Sequence, residues 1–156
     1  MDSSDLALFI RRHDIKAEIV YLAVETPTVA TAADALNVRP EQIIKSLLFM
    51  ADGNPLLVVT NGLRRIHRKR LADVLKMSRR QVKIASKKQV LTITGYEVGA
   101  VPPFGHLEPI PTLLDVGVLS ESTIYGGGGA DNTLMRLSTA ELQRVINGEV
   151  ADIAER

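Results

Sequence analysis

The sequence contains no cysteine, and this absence removes several kinds of chemistry. Disulfide bonds, thiolate metal sites and a cysteine nucleophile are all excluded. The three histidines, His13, His67 and His106, are too scattered along the chain to form a local metal motif. We therefore expect no bound metal ion, and a chain without cysteine fits a reducing cytoplasm.

Long apolar segments are missing as well. Lys45, Asp52 and similar residues interrupt every hydrophobic run before it is long enough to cross a bilayer. The first residues, MDSSDLALFIRRHD, lack the basic start and apolar centre of a signal peptide. With 156 residues, 46% hydrophobic and 24% charged, the chain suits one globular domain with an ordinary core. We expect a soluble cytoplasmic protein that does not bind membranes.

Familiar catalytic motifs are also absent. No Lys-Ser or Lys-Thr follows the four glycines at 126–129, so they do not form a Walker A loop. They lead into a predicted strand, whereas a dinucleotide-binding glycine turn leads into a helix. No G-x-S-x-G elbow is present. Two interpretations of the glycine run stay equally open: a flexible turn, or a close approach of the backbone to a substrate.

Positive charge is concentrated in one segment. The net charge is only +1, yet eleven of the nineteen Lys and Arg residues lie between Arg64 and Lys88, beside one acid, Asp73. Such a field favours a polyanion, and phosphate contacts dominate nucleic-acid affinity. The alternative is a solvated basic face without a partner. The candidate contacts to nucleic-acid phosphates are Arg64, Arg65, Arg68, Lys69 and Arg70.

Apolar periodicity and turn signals predict helices and strands in mixed order. The capping-box pairs Ser86–Gln89 and Ser138–Glu141 open two helices, and a hairpin turns at residues 52–55. Further helices are predicted over 29–36 and 68–77, and further strands over 17–22, 82–84, 110–115, 123–125 and 133–137. Because strands and helices do not alternate regularly, we expect an α/β fold of the α+β type with a mixed sheet.

Two features outside the basic segment are candidates for ligand binding. Lys45 lies in the apolar run IIKSLLFM, at the predicted junction of a short helix and a strand. A lysine there either extends its ammonium to solvent, the more frequent outcome, or holds it in a pocket for an anion. The segment Thr94–His106 has three glycines and two adjacent prolines. It predicts a loop of one definite shape, either a rigid connector or a support that brings main-chain N–H groups to a ligand.

The order of these motifs resembles the YbaK family, which is related to the editing domain inserted into bacterial prolyl-tRNA synthetases. The residues that carry the resemblance are IIKSLLFM, the Gly-turn hairpin, LTITGYEVGAVPPFG, the glycine run and the capped C-terminal helix. The resemblance covers about residues 28–153 of the single domain 1–156. Lys45 and the G-x-x-x-P loop Gly99–Pro103 are specific in combination. The fold implied is a compact domain with a curved, barrel-like sheet surrounded by helices.

The resemblance implies hydrolysis, in trans, of the ester between a wrong amino acid and the 3′ end of a tRNA, with a proline tRNA expected. It implies that Lys45 is the catalytic residue and that no metal or organic cofactor is used. The implied partners are the aminoacylated 3′ end of a tRNA and an aminoacyl-tRNA synthetase. The substrate-binding residues implied are Ser46, Gly95, Gly99, Ala100, Val101, Pro102, Pro103, His106, Gly126, Gly127 and Gly128.

Two other functions fit the same residues. The first is a non-catalytic tRNA- or protein-binding module that uses the same cleft. The second is a small-molecule-binding regulatory domain in which Lys45 holds an anion. The glycine run differs from the Ser-Ala-Gly-Lys-Arg-Gly loop of cysteinyl-tRNA(Pro) deacylases, so the sequence leaves the amino acid unassigned.

Overall fold

The helices begin where a side chain can accept a hydrogen bond from a free N–H group of the first turn. Thr28, Ser86 and Ser138 each cap a helix in this way. The computed structural model describes all 156 residues. The α-helices are α1 (Ser3–Arg12), α2 (Val29–Leu36), α3 (Arg68–Leu75), α4 (Lys87–Thr94) and α5 (Thr139–Ile146). Short 3-10 turns span Pro40–Gln42, Arg79–Gln81 and Val116–Ser120. None of the helices has the length and apolar character required to span a bilayer.

The strands form two sheets, one of three strands and one of five. They are β1 (Ala17–Tyr21), β2 (Ile44–Ala51), β3 (Asn54–Asn61), β4 (Val82–Ile84), β5 (Thr112–Asp115), β6 (Thr123–Gly127), β7 (Thr133–Ser138) and β8 (Glu149–Ala151). The smaller sheet is antiparallel, in the order β1-β7-β6. The larger has the order β4-β2-β3-β5-β8, with β2 antiparallel to β3 and β4, and β5 parallel to β3 and β8. The predicted mixed α/β domain is confirmed.

The expected barrel-like sheet does not form, because the strands divide between two sheets and neither closes. A single bridge, between Ile43 and Tyr125, links the start of β2 to β6. The loop after α4 packs its backbone against Gly127 of β6. Its Pro102 and Pro103 have no N–H to donate to a strand ladder.

The main hydrophobic core joins the two sheets. It contains 17 buried residues from both sheets and from helices α1, α4 and α5, among them Leu6, Leu48 and Ile124. A second cluster of 9 residues lies between the larger sheet and α3, where Leu71 packs. Full burial of one such side chain contributes about 1.5–3 kcal/mol. With packing on both faces, β2 and β3 form a rigid support for the residues at the start of β2.

Two local predictions differ from the structure. Lys45 is the second residue of β2, rather than a residue at a helix–strand junction. Glu141 does not complete a capping box with Ser138, although its N–H does donate to the Ser138 hydroxyl. Its carboxylate instead accepts from the Arg144 guanidinium and from the N–H of Lys16, each at 2.6 Å. These hydrogen bonds, that from Arg144 first, lower the pKa of Glu141 to about 2.

Candidate active site

A cleft of about 350 Å³ lies where β2 begins. Its walls come from the start of α2, the first half of β2, the connection between β4 and α4, and the loop after α4. Five of the residues that the sequence singled out line it together: Lys45, Ser46, Gly99, Val101 and Gly127. The fold therefore brings the lysine, the proline-glycine loop and the glycine run to one site. No group of three His, Asp or Glu side chains is arranged to hold a metal ion.

Lys45 presents a cation to this cleft. Its side chain is half-buried, and it lies opposite Thr60 of β3. Lys45 takes part in none of the ion pairs of the chain, which join other cations to Asp and Glu. A half-buried ammonium without a protein partner is the group that an anionic or carbonyl oxygen of a ligand would meet.

Ser46 adds a hydroxyl with no hydrogen-bond partner. Its Oγ is buried and makes no hydrogen bond within the protein. Leaving a buried polar group unsatisfied costs about 1–3 kcal/mol, so native proteins seldom do so without a reason. Ser46 is part of the cleft wall, although the oxygen itself is buried beneath the cleft surface.

The backbone of β2 is also open at this point. Strand β4 pairs with β2 only at Phe49–Ala51, and the Leu48 carbonyl accepts from the N–H of Ala85 at 2.9 Å. Backbone groups of a strand alternate in direction with a period of two residues. The N–H and C=O of Ser46 therefore point to the same edge of β2 as those of Leu48. At Ser46, no strand pairs with that edge. Ser46 thus offers its main-chain groups to the cleft.

Tyr96 holds the loop after α4 from the side of the hydrophobic core. This side chain is fully buried, and its hydroxyl donates to the carbonyl of Gly105 at 3.3 Å. Burial, with a smaller effect from the carboxylates of Asp5 and Asp2, raises the pKa of Tyr96 to about 12. The hydroxyl therefore stays protonated at neutral pH and keeps its role as a donor.

His106 fixes the other end of the loop. Its Nε2 lies 2.7 Å from the carbonyl oxygen of Pro102. Because a carbonyl only accepts, Nε2 must carry the proton. Burial lowers the pKa of His106 below its ordinary value, and the hydrogen bond to Pro102 opposes that shift. A neutral ring therefore holds the two prolines in place, from a position outside the cleft wall.

Val98, Gly99 and Val101 of this loop line the cleft, and their main-chain N–H groups donate no hydrogen bond within the protein. Those of Gly99 and Val101 flank Ala100. The N–H between them, that of Ala100, donates to the carbonyl of Glu97 at 3.0 Å. Gly99 has a φ of +93°, a conformation that favours glycine, and open space surrounds the position of a Cβ atom. Unpaired N–H groups at the wall of a cleft are suited to a carbonyl oxygen or an oxyanion.

The glycine run is a place of close backbone approach. A Cβ atom on Gly127 would lie 2.3 Å from the carbonyl oxygen of Val101. The N–H of Gly129 donates to the carbonyl of Ala100 at 3.0 Å. The structure thus favours a close approach of the backbone over a flexible turn. The partner in this approach is the chain's own loop after α4, and not a substrate. At Gly127 this contact also forms part of the cleft wall.

The other predicted substrate-binding residues lie outside the cleft wall. They are Gly95, Ala100, Pro102, Pro103, His106, Gly126 and Gly128. Gly95 ends α4 and packs against Met1, whose amino group donates to the Gly95 carbonyl at 2.9 Å. Gly128 packs against Thr133 instead. Contact of these residues with a substrate stays a prediction, while their positions support the shape of the loop.

Three of the five candidate phosphate contacts are paired with acids, and two of these, Arg64 and Arg70, share Asp152. Arg64 lies 3.2 Å from a carboxylate oxygen of Asp115, which is fully buried, and 3.2 Å from one of Asp152. Arg64 Nε lacks hydrogen-bond geometry to Asp115, so that contact is electrostatic. Arg70 lies 3.3 Å from Asp152. Arg64 and Arg70 are therefore partly neutralised within the protein, since Asp152 is also shared with Arg156 at 3.2 Å.

The three candidates other than Arg64 and Arg70 differ among themselves. Lys69 is exposed and 3.4 Å from Asp73, one helical turn away. The guanidinium of Arg68 donates to the carbonyl of Val82 at 2.7 Å and has no acidic partner. Arg65 is exposed and takes part in no ion pair. Binding of tRNA phosphates by these residues stays a prediction.

Sequence reasoning missed two parts of the cleft wall. Val29 at the start of α2 forms one, and Ile84 and Lys87 between β4 and α4 form the other. Lys87 was counted only as part of the basic segment. A signal was present, because the Ser86 cap places Lys87 in the first turn of a helix directly after an apolar strand.

The chain matches the profile of the aminoacyl-tRNA editing domain family over residues 23–145. It is 29% identical over 126 residues to the uncharacterised protein YwhH of Bacillus subtilis, which covers 80% of this chain and 78% of YwhH. It is 27% identical over 135 residues to the proline–tRNA ligase of Desulfotalea psychrophila, covering 85% of this chain but 23% of the ligase. The chain thus spans less than a quarter of that ligase's length.

Solved structures share the whole fold. The hypothetical protein APE2540 is 30% identical, with a TM-score of 0.89 over 97% of this chain and 99% of that one. A proposed trans-editing enzyme for prolyl tRNA synthetase is 26% identical, with a TM-score of 0.90 over 99% of this chain and 97% of that one. These likenesses and the profile match confirm the resemblance found in the sequence, and the chain belongs to the aminoacyl-tRNA editing domain family.

Proposed function

We propose that this protein is a trans-acting deacylase, which hydrolyses the ester between a wrongly attached amino acid and the 3′ end of a tRNA. One observation carries the proposal: the residues of a single cleft include Lys45, whose ammonium is unpaired, and Gly99 and Val101, whose main-chain N–H groups are unpaired. Membership of the aminoacyl-tRNA editing domain family supports the same reaction.

The reaction requires orientation and charge stabilisation more than a strong nucleophile, because an aminoacyl ester is already activated. A water oxygen attacks the ester carbonyl carbon, and the carbonyl oxygen becomes an oxyanion. The N–H groups of Gly99 and Val101 stabilise this oxyanion, and the ammonium of Lys45 orients the substrate. The bond to the ribose oxygen then breaks. The proton from water goes to that oxygen, leaving a free amino acid and a tRNA with a free hydroxyl.

The cleft also limits the size and the charge of the aminoacyl group that can bind. Its volume of about 350 Å³ lies at the lower end of small-molecule sites. Apolar side chains such as Val29, Ile44 and Leu134 contribute to the wall around Lys45 and Ser46. We propose that it accepts a small aminoacyl group without a charged side chain.

The tRNA proposed is a proline tRNA. Support comes from the proline–tRNA ligases among the relatives, including that of Bacillus licheniformis, 30% identical over 124 residues. This chain spans 21% of that ligase, so the proposal extends to editing and not to aminoacylation. A prolyl-tRNA synthetase is the proposed protein partner.

The test is incubation of the purified protein with a panel of mischarged tRNAs, in parallel with Lys45→Ala and the control Lys16→Ala. Lys16 is an exposed lysine outside the cleft. We expect ester loss with at least one proline tRNA, abolished by Lys45→Ala alone. Protection of the ester from spontaneous hydrolysis would instead identify a non-catalytic binding module. If the protein neither cleaves nor protects any ester of the panel, the result would favour a small-molecule-binding domain.

A further inference from the structure

The second half of the basic segment carries cations that no acid neutralises. Five exposed residues, called here the edge strip, take part in none of the ion pairs of the chain. They are Arg79, Arg80, Lys83, Lys87 and Lys88. In contrast, Arg64, Lys69 and Arg70 in the first half each lie within 4.0 Å of a carboxylate. The segment's other cations without an acidic partner are Arg65, Arg68 and Lys76. Most of the available positive charge of the segment therefore lies on the edge strip.

The edge strip leads to the cleft. Arg79 and Arg80 lie in the turn before β4, which is the edge strand of the larger sheet. Lys83 is the central residue of β4 and lies opposite Met50 of β2. Ile84 and Lys87, which follow it, line the cleft. The cations thus follow a continuous segment that ends at the cleft mouth.

The charges around the edge strip do not cancel its field. No Asp or Glu occurs between residues 74 and 96. Asp52, at the β2–β3 turn, is the neighbouring acid, since its N–H donates to the Gln81 carbonyl at 2.7 Å, but it forms no ion pair with the strip. Arg68, fixed to the Val82 carbonyl without a carboxylate partner, adds to the positive field.

Protection of the sheet edge explains only part of this arrangement. A lysine on an edge strand discourages pairing with another chain, which accounts for Lys83. The other four cations lie outside the strand, in the turn before β4 or at the start of α4. An unpaired row of cations ending at a ligand cleft fits a polyanion whose end enters that cleft.

We propose that the phosphates of the tRNA acceptor stem lie along the edge strip while the aminoacylated 3′ end occupies the cleft. This inference rests on the proposed function for the identity of the ligand. It moves the main phosphate contacts from residues 64–70 to residues 79–88. In this arrangement Lys87 lies where the stem meets the cleft, and the paired cations Arg64 and Arg70 stabilise the fold instead.

The test compares variants that remove cations from different surfaces. The strip variant combines Arg79→Gln, Arg80→Gln and Lys83→Gln. The control, which loses the same charge from exposed positions on and after α1, combines Arg11→Gln, Arg12→Gln and Lys16→Gln. A third variant, Arg65→Gln with Lys69→Gln, probes the first half of the segment. The dissociation constant for uncharged tRNA is measured at a series of KCl concentrations, after thermal melting has shown that each variant is folded.

The expected result is specific to the strip variant. The slope of log K against log[salt] is negative, and each lost contact to duplex phosphate makes it shallower by about 0.9. With affinities converging near 1 M salt, two lost contacts weaken binding about 60-fold at 0.1 M salt, and three about 500-fold. A slope equal to that of wild type, or a loss matched by the control or by the third variant, overturns the inference.

Failure of the inference can be told apart from failure of the proposed function. Binding of uncharged tRNA requires no hydrolysis, so a smaller salt slope in the strip variant supports the edge strip even if no ester in the panel is cleaved. Deacylation of an aminoacyl-adenosine, which has no stem, should be unchanged in the strip variant. A strip variant that deacylates the tRNA panel normally at low enzyme concentration, and binds tRNA as wild type does, overturns the edge strip alone.

Discussion

Replacing Gly127 by alanine is expected to displace the loop that lines the cleft. The new Cβ would lie 2.3 Å from the Val101 carbonyl oxygen and 2.7 Å from its carbon, whereas ordinary contacts begin near 3.4 Å. The neighbour is backbone and cannot rotate away, so the loop must move by about 1 Å. A misplacement of that size around a reacting group costs roughly 100-fold in rate. Overpacking also costs about 1–3 kcal/mol, which lowers the melting temperature by about 2–12 °C in a protein of this size.

The chain offers a matched control for this prediction. A Cβ on Gly148 would lie 2.3 Å from the carbonyl oxygen of Thr112, a backbone clash of the same size but away from the cleft. Both variants should lose similar stability in thermal melts. Only Gly127→Ala should lose single-turnover deacylation, measured well below either melting temperature. Equal activity of the two variants would refute the assignment of the loop to the site.

Three further predictions follow from the same contacts. Gly99→Val should reduce deacylation more than affinity for uncharged tRNA, because it strains a φ of +93° and crowds the acyl group while removing no charge; equal losses would indicate general disruption. Burial lowers the pKa of His106, so its contribution to stability is complete above the ordinary pKa of about 6.5 and is lost as the pH falls below it. The difference in the free energy of unfolding between pH 5 and pH 7.5 should therefore be smaller in His106→Gln than in wild type. A difference equal to that of wild type would contradict this. Arg64→Gln should destabilise the fold by about 2 kcal/mol in urea, since it leaves buried Asp115 without its cation while Arg64 itself is partly solvated. A loss within error of zero would show that water already screens this pair.

Local signals in the sequence predicted much of the fold. The helix Val29–Leu36 has the predicted bounds, and α4 runs from the Ser86 cap to Gly95 as expected. The hairpin turns at Asp52 and Gly53, within the predicted residues 52–55, while Asn54 and Pro55 already belong to β3. In each case the information lies within a few residues, as a capping side chain or a glycine with positive φ.

The division into two sheets could not be predicted in this way. It depends on which strands pair, and partners such as β1 and β7, or β3 and β5, are distant in sequence. Similarly, the pairing of Arg64 with Asp115 and Asp152 joins residues far apart in the chain, so the sequence could not separate neutralised cations from available ones.

The sequence identified residues at the centre of the cleft but not those at its rim. Lys45 and the Gly99 loop were identified together through the family resemblance, while residue pattern alone left solvent exposure of Lys45 as the more frequent outcome. Ile84 and Lys87 were missed because their place in the cleft depends on the pairing of β4 with β2. The unpartnered Ser46 hydroxyl can be recognised only when the packing around it is known.

The most direct test of the central claim is the single-turnover rate of ester hydrolysis by Lys45→Ala, with enzyme in excess over the best mischarged tRNA of the panel. Lys16→Ala serves as the control, and thermal melts establish that both are folded. Removal of one preorganised cation or donor from such a site typically costs about 100- to 1,000-fold. We predict a loss of that size or greater for Lys45→Ala, with an unchanged melting temperature and a wild-type rate for Lys16→Ala. A Lys45→Ala rate within about threefold of wild type would contradict the claim that this cleft hydrolyses aminoacyl-tRNA through Lys45.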